Sequence, residues 1–123
     1  QAYLTPDTET TLALQNLRRI IQTQYRIATT IGYGPRFLHS TGQLHKGDAG
    51  NGLFIQFTAD IAEDAPIPDE AGKEDSSISF GVLKTAQVLG DCQALKDAGR
   101  DIIRFHFQKD PISGLKRLKD ILL

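Results

Sequence analysis

Short β-branched or aromatic runs alternate along this chain with stretches of helical periodicity, and that alternation limits its fold more than any other feature. Leu53-Phe54-Ile55-Gln56-Phe57-Thr58 is the clearest buried strand. Asp101-Ile102-Ile103-Arg104-Phe105-His106-Phe107 reads as another, and Arg26-Ile27-Ala28-Thr29-Thr30-Ile31 as a third. Helical patterns separate them. Thr5 can cap a first helix, with Pro6 at its first position, and Leu14, Leu17, Ile20 and Ile21 carry it to about Gln24. Gly32 to Gly34 make a turn, and Pro35 can open a second helix reaching Leu44. Phe80, Leu83, Ala86, Leu89, Cys92 and Leu95 mark one face of a long helix that stops at Gly99. Gly114 to Leu123 is a last amphipathic helix, with Leu115, Leu118 and Leu122 inward.

The order is therefore a helix followed by three strand-helix units. Strands joined by helical crossovers pair in parallel, which predicts an α/β fold of three layers, αβα. Three strands make a thin parallel sheet whose faces and edges both need cover, so more sheet is expected beside it. Lys46 to Gly52 reads as a glycine-rich loop, and Glu63 to Ser77 as a mobile, polar surface loop.

The length fits one domain. A formal net charge of −1 provides no electrostatic reason to expect nucleic acid or an acidic membrane surface as partner. No apolar run is long enough to cross a bilayer, and Gln1 begins no signal-peptide pattern. The lone Cys92 cannot form an internal disulfide, so a reducing, cytoplasmic setting is the expectation. The absence of an initiator Met suggests a truncated or processed chain.

The run from Gly32 to Gly47 concentrates the polar chemistry, with His39, Ser40, Thr41, Gln43 and His45 beside an expected strand-to-helix turn. Ligands of open α/β sheets bind beyond the carboxyl ends of strands, and free N–H groups at a helix start can hold an anion. Gly32-Tyr33-Gly34-Pro35 equally suits a plain tight turn, and it is not a dinucleotide fingerprint. His39 falls near the start of the expected helix, where a neutral imidazole suits proton transfer to and from a sugar hydroxyl, and Gln43 shares its face. His39 could equally be a hydrogen-bonded surface side chain. His45 is too far along from His39 for a helical metal pair, and its charge would be welcome at a helix C-terminus. His106 lies on the strand face opposite Phe105 and Phe107 and reads as structural or as a surface side chain. Ser40 and Thr41 lie in no nucleophile elbow, and no acid is placed to orient His39. Lys84 near the start of the long helix opposes the helix dipole, a position that fits either function or a solvated side chain. Lys116, Arg117 and Lys119 form a solvated face.

The run Gly32-Tyr33-Gly34-Pro35-Arg36-Phe37-Leu38-His39-Ser40-Thr41-Gly42-Gln43-Leu44-His45-Lys46-Gly47 resembles the C-terminal part of glucose-6-phosphate isomerase, in the version fused behind a transaldolase. The likeness continues through Gly52 to Gln56 and Phe80 to Asp91, and reaches back to Ala2-Tyr3-Leu4. The resemblance implies that residues 1–123 are one C-terminal segment, a sugar-isomerase half domain. It also implies interconversion of glucose 6-phosphate and fructose 6-phosphate, without metal or organic cofactor, through ring opening and an enediol. The Leu-His-Ser-x-Gly-Gln pattern carries the ring-opening histidine onto His39, with Ser40 and Gln43 as substrate contacts. Lys84 after Phe80-Gly81 is the expected supporting lysine, and Lys119 after Gly114 is the runner-up. The family's catalytic glutamate and its sugar-phosphate loops have no counterpart here. The expected partners are thus hexose phosphate, the remainder of the isomerase domain and a second copy in a homodimer. A regulatory sugar-phosphate-binding module and a purely structural domain are the alternatives.

Overall fold

A computed structural model describes residues 1–123. The chain opens directly into the sheet with β1 (Ala2–Tyr3) and leaves it for α1 (Thr8–Tyr25). A 3₁₀ helix (Arg36–His39) and the short α2 (Gly42–Gly47) lead into β2 (Leu53–Ala59). β3 (Pro66–Ile67) and β4 (Ile78–Ser79) form a small antiparallel pair. Then come α3 (Phe80–Asp97), β5 (Asp101–Phe107) and α4 (Pro111–Leu122). The main sheet has three strands in the order β1-β2-β5, all parallel, with Leu53 opposite Asp101 and Thr58 opposite His106.

Pleating sends alternate side chains to opposite faces. Ala2, Leu4 and Phe57 meet Leu14 and Leu17 of α1 and Leu115 of α4 on one face, where the Phe57 ring stacks on Phe105 and Phe107 at 6.0 Å each. Tyr3 meets Phe37 and Val88 on the other, beneath the 3₁₀ helix and α3. Helices flank both faces, so the architecture is the expected three-layer αβα.

The third strand is not the expected one. Arg26 takes a left-handed conformation (φ 54°) that ends α1, and the following segment is laid back along that helix, with Arg18 Nη1 donating to the Thr29 carbonyl at 3.3 Å. Residues 26–31 therefore form no strand, and only Tyr33 reaches the sheet, as a parallel bridge to Ala2. β1 supplies the third strand. The expected helix start is also displaced: the Asp7 carboxylate, not Thr5, accepts from the Thr10 N–H at 2.7 Å. Those hydrogen bonds hold the Asp7 carboxyl below its ordinary range. The expected helix from Pro35 to Leu44 is broken in two at Ser40 (φ −142°, ψ −88°), and α2 extends into the expected glycine loop. The polar loop 63–77 closes as the β3–β4 pair instead of running free.

Burial is sparse, with 17 of 123 residues sealed from solvent. β5 is an outer strand of the sheet, and Ile103 on it is 53% exposed. Leu89 of α3 and Leu53 of β2 are also exposed.

Candidate functional site

The Tyr33 bridge fixes where the polar run begins. Ala2 N–H donates to Gly32 O at 2.8 Å, and Gly34 N–H donates to Ala2 O at 3.0 Å. Gly34 is held there by lack of a side chain, since a Cβ would lie 2.5 Å from the Tyr3 ring and 2.7 Å from that of Phe37. The 3₁₀ helix leaves from the carboxyl side of this bridge, and Phe37 plugs it onto Tyr3 in an edge-on ring pair at 5.6 Å.

His39 closes the 3₁₀ helix with its side chain exposed. It does not open the expected α-helix. The break at Ser40 also separates it from Gln43, the second residue of α2, so the two do not share one helical face as expected. Ser40 turns its hydroxyl back toward the Phe37 carbonyl at 3.5 Å, and Gln43 is exposed. Lys84 is half-buried in the first turns of α3, on the same side of the sheet as His39. Lys119 lies on α4, against the opposite face, beside Asp120 at 3.2 Å. The helix start near Lys84 is already occupied by an acid. Asp64 accepts from Gly81 N–H at 2.7 Å and from the Ser79 hydroxyl at 2.6 Å, while Ser79 accepts from Val82 N–H. Those bonds, with a smaller contribution from Lys84, hold the Asp64 carboxyl below its usual range. The Asp64 charge offsets the dipole penalty expected for Lys84.

His45 differs from the expectation in its chemistry. It sits near the C-terminus of α2, but its ring is wedged between Phe37 and Phe54, at 5.7 Å and 5.2 Å. Burial lowers its pKa below 6.5 despite the helix end and the nearby Asp91 charge, so its cationic form is not welcome. Its Nδ1 lies 3.4 Å from the Gln1 amide.

Beneath α2 the sheet face is polar. The Asp91 side chain is 1% exposed, and Lys46 Nζ of α2 approaches its Oδ1 to 2.8 Å. The contact is an ion pair and not an aligned hydrogen bond, because neither carboxylate oxygen receives one. The Tyr3 hydroxyl is buried without a partner, and burial first, then the Asp91 charge, pushes its pKa far up. Gln56 is fully buried, donating to Gln1 Oε1 at 3.2 Å and more loosely to Val88 O at 3.4 Å.

A second polar cluster lies at the carboxyl ends of β2 and β5, where His106 Nδ1 is 2.9 Å from the Thr58 hydroxyl and Nε2 is 2.9 Å from Asp60. His106 thus has an orienting acid, which His39 lacks. Sequence reading passed over Thr58 and Asp60. The signal was the pairing register: Thr58 and His106 are opposite on adjacent strands, and Asp60 follows on the same face. His106 and Asp60 are about half exposed, in keeping with a surface clasp between strand ends.

No helix is long and apolar enough to cross a membrane. No protein-family model matches the chain, and no curated protein sequence matches it. Among solved structures it is similar to the crystal structure of a hypothetical protein, TT0462, from Thermus thermophilus, at 19% identity and a TM-score of 0.67. That likeness covers 98% of this chain and 32% of the other, so the chain spans about a third of that structure's length. It shows the shared α/β fold.

Proposed function

We propose that this chain is the C-terminal part of an aldose–ketose isomerase domain of the glucose-6-phosphate isomerase kind, with His39 as its ring-opening group. The observation that carries this reading is an exposed imidazole, within the Leu38-to-Gln43 pattern, on the turn that leaves the carboxyl side of the sheet. Ring opening moves one proton from the C1 hydroxyl to the ring oxygen as the C1–O bond breaks. An imidazole that gives one proton and takes another suits that transfer near neutral pH. Ser40 adjoins it in the chain, α2 carries the Gln43 amide, and Lys84 shares its side of the sheet. The carboxylate that shuttles the proton between C2 and C1 comes from outside this chain. Sparse burial and the open β5 edge support a role as one part of a larger sheet.

The test pairs this chain with the polypeptide that completes the domain. The chain alone is expected to be inert and the assembly active. His39→Ala should slow turnover of cyclic glucose 6-phosphate far more than that of the open-chain sugar. Equal loss on both forms would remove His39 from ring opening, and turnover by the isolated chain would remove the half-domain reading. A non-catalytic hexose-phosphate-binding module is the second reading. Calorimetric binding of hexose phosphate to this chain, with no turnover in the assembly, would select it.

A further inference from the structure

α2 has 6 residues, too few to hold its own conformation in water. It nevertheless carries Gln43 and is joined to the His39 turn through Ser40 and Thr41 alone. Its geometry is therefore imposed from outside, and two side chains from distant parts of the chain do so. The Arg100 guanidinium, from the turn before β5, donates to the carbonyls of His45 (3.2 Å), Lys46 (2.9 Å) and Asp48 (3.0 Å). It also pairs with the Asp48 carboxylate at 2.9 Å, and its side chain is only 10% exposed. These are the carbonyls that a helix C-terminus leaves without partners, and a planar cationic fork satisfies several at once. Gly50, at φ +82°, makes room for the fork: a Cβ there would come within 2.9 Å of Arg100 Nη1. From the other side, Asp91 of α3 holds Lys46 at 2.8 Å beneath the helix.

We propose that Arg100 and Asp91 are positioning residues that together fix α2 and, through it, the His39 turn. The anchoring stands on geometry alone, while its meaning for catalysis rests on the isomerase reading. Neither residue touches the sugar in this scheme. Arg100 orients the backbone that ends α2, and Asp91 sets its depth against α3.

The test uses amide hydrogen exchange on this chain. Arg100→Gln and Asp91→Asn should each raise exchange at the His45 and Asp48 amides by about tenfold or more, while the β2–β5 ladder keeps its protection. Arg100→Lys should behave like Arg100→Gln, because an ammonium cannot span three carbonyls. In the active assembly, Arg100→Gln should lower kcat on the cyclic sugar by about tenfold and leave open-chain turnover near wild type. Unchanged α2 exchange in both the Arg100→Gln and Asp91→Asn variants overturns the proposal. So does acceleration spread evenly over the ladder, rescue by Arg100→Lys, or equal loss on cyclic and open-chain sugar. An assembly of wild-type chains that turns over no hexose phosphate refutes the isomerase reading, and exchange alone then decides the anchoring.

Discussion

Lys46 Nζ lies 2.8 Å from Asp91 Oδ1, and the two partners are unequally exposed, the lysine side chain at 27% and the aspartate at 1%. The asymmetry makes the two halves of the pair unequal in cost. Lys46→Met leaves a sealed carboxylate without counter-charge and should destabilise the chain by about 3–5 kcal/mol. Asp91→Asn leaves an ammonium that can turn to water and should cost about 1–2 kcal/mol. Urea denaturation of both variants checks the order, and equal losses would mean that the carboxylate is not sealed.

The same region governs the response to pH. Burial lowers His45 from 6.5, so the unfolded chain binds the proton more readily than the folded one. The penalty begins below 6.5 and grows until the folded ring protonates. Thermal melts should give a higher Tm at about pH 7.5 than at about pH 5.5, with His45→Gln reducing the difference. A Tm that rises on acidification through this window would contradict the sign.

Two glycines of the polar run should respond in opposite ways to the same change. Gly34→Ala drives a methyl into the Tyr3 and Phe37 rings and should cost about 1–3 kcal/mol or more. Gly47→Ala meets nothing within 4 Å and sits at the end of α2, so it should be neutral or stabilise by about 0.4–1 kcal/mol. Chemical denaturation of the two variants side by side is sufficient. A harmless Gly34→Ala would show that the Tyr33 turn is not packed as described.

The β5 edge should make the chain sticky. Ile103, 53% exposed on an unpaired edge, offers apolar surface beside free backbone groups. Ile103→Lys is expected to reduce concentration-dependent scattering while shifting stability by no more than about 0.5 kcal/mol. Unchanged scattering would place the association surface elsewhere.

β2, β5 and α4 were legible because each has a period long enough to show. α3 was legible in extent but not in face, since Phe80, Leu83 and Leu89 of the expected line are exposed while Gly81, Val88 and Asp91 join Cys92 and Leu95 inside. The strand expected at 26–31 was misread for a physical reason. Its β-branched residues favour extended backbone, but contacts along α1 hold the segment away from the sheet, and propensity yields to tertiary packing. β1 was missed because Ala2–Tyr3 is too short to display any alternation. The run from Gly32 to Gly47 was recognised from residue types, yet its division into two short helices was not. That break depends on Phe37 plugging against Tyr3, a contact between distant stretches. Thr58, Asp60, Asp91 and Arg100 escaped notice for the same cause, since each gains its partner from a distant stretch of the chain.

The amino-acid sequence by itself determined the alternation of strands and helices, and hence a parallel α/β sheet, because periodicity is a local property of neighbouring residues. It also set which side chains crowd the polar run. Only the tertiary structure decided which segment became the third strand, that His45 is wedged between rings, and that Arg100 and Asp91 grip α2. Those outcomes depend on burial and on charges brought together from opposite ends of the chain, which no local pattern encodes.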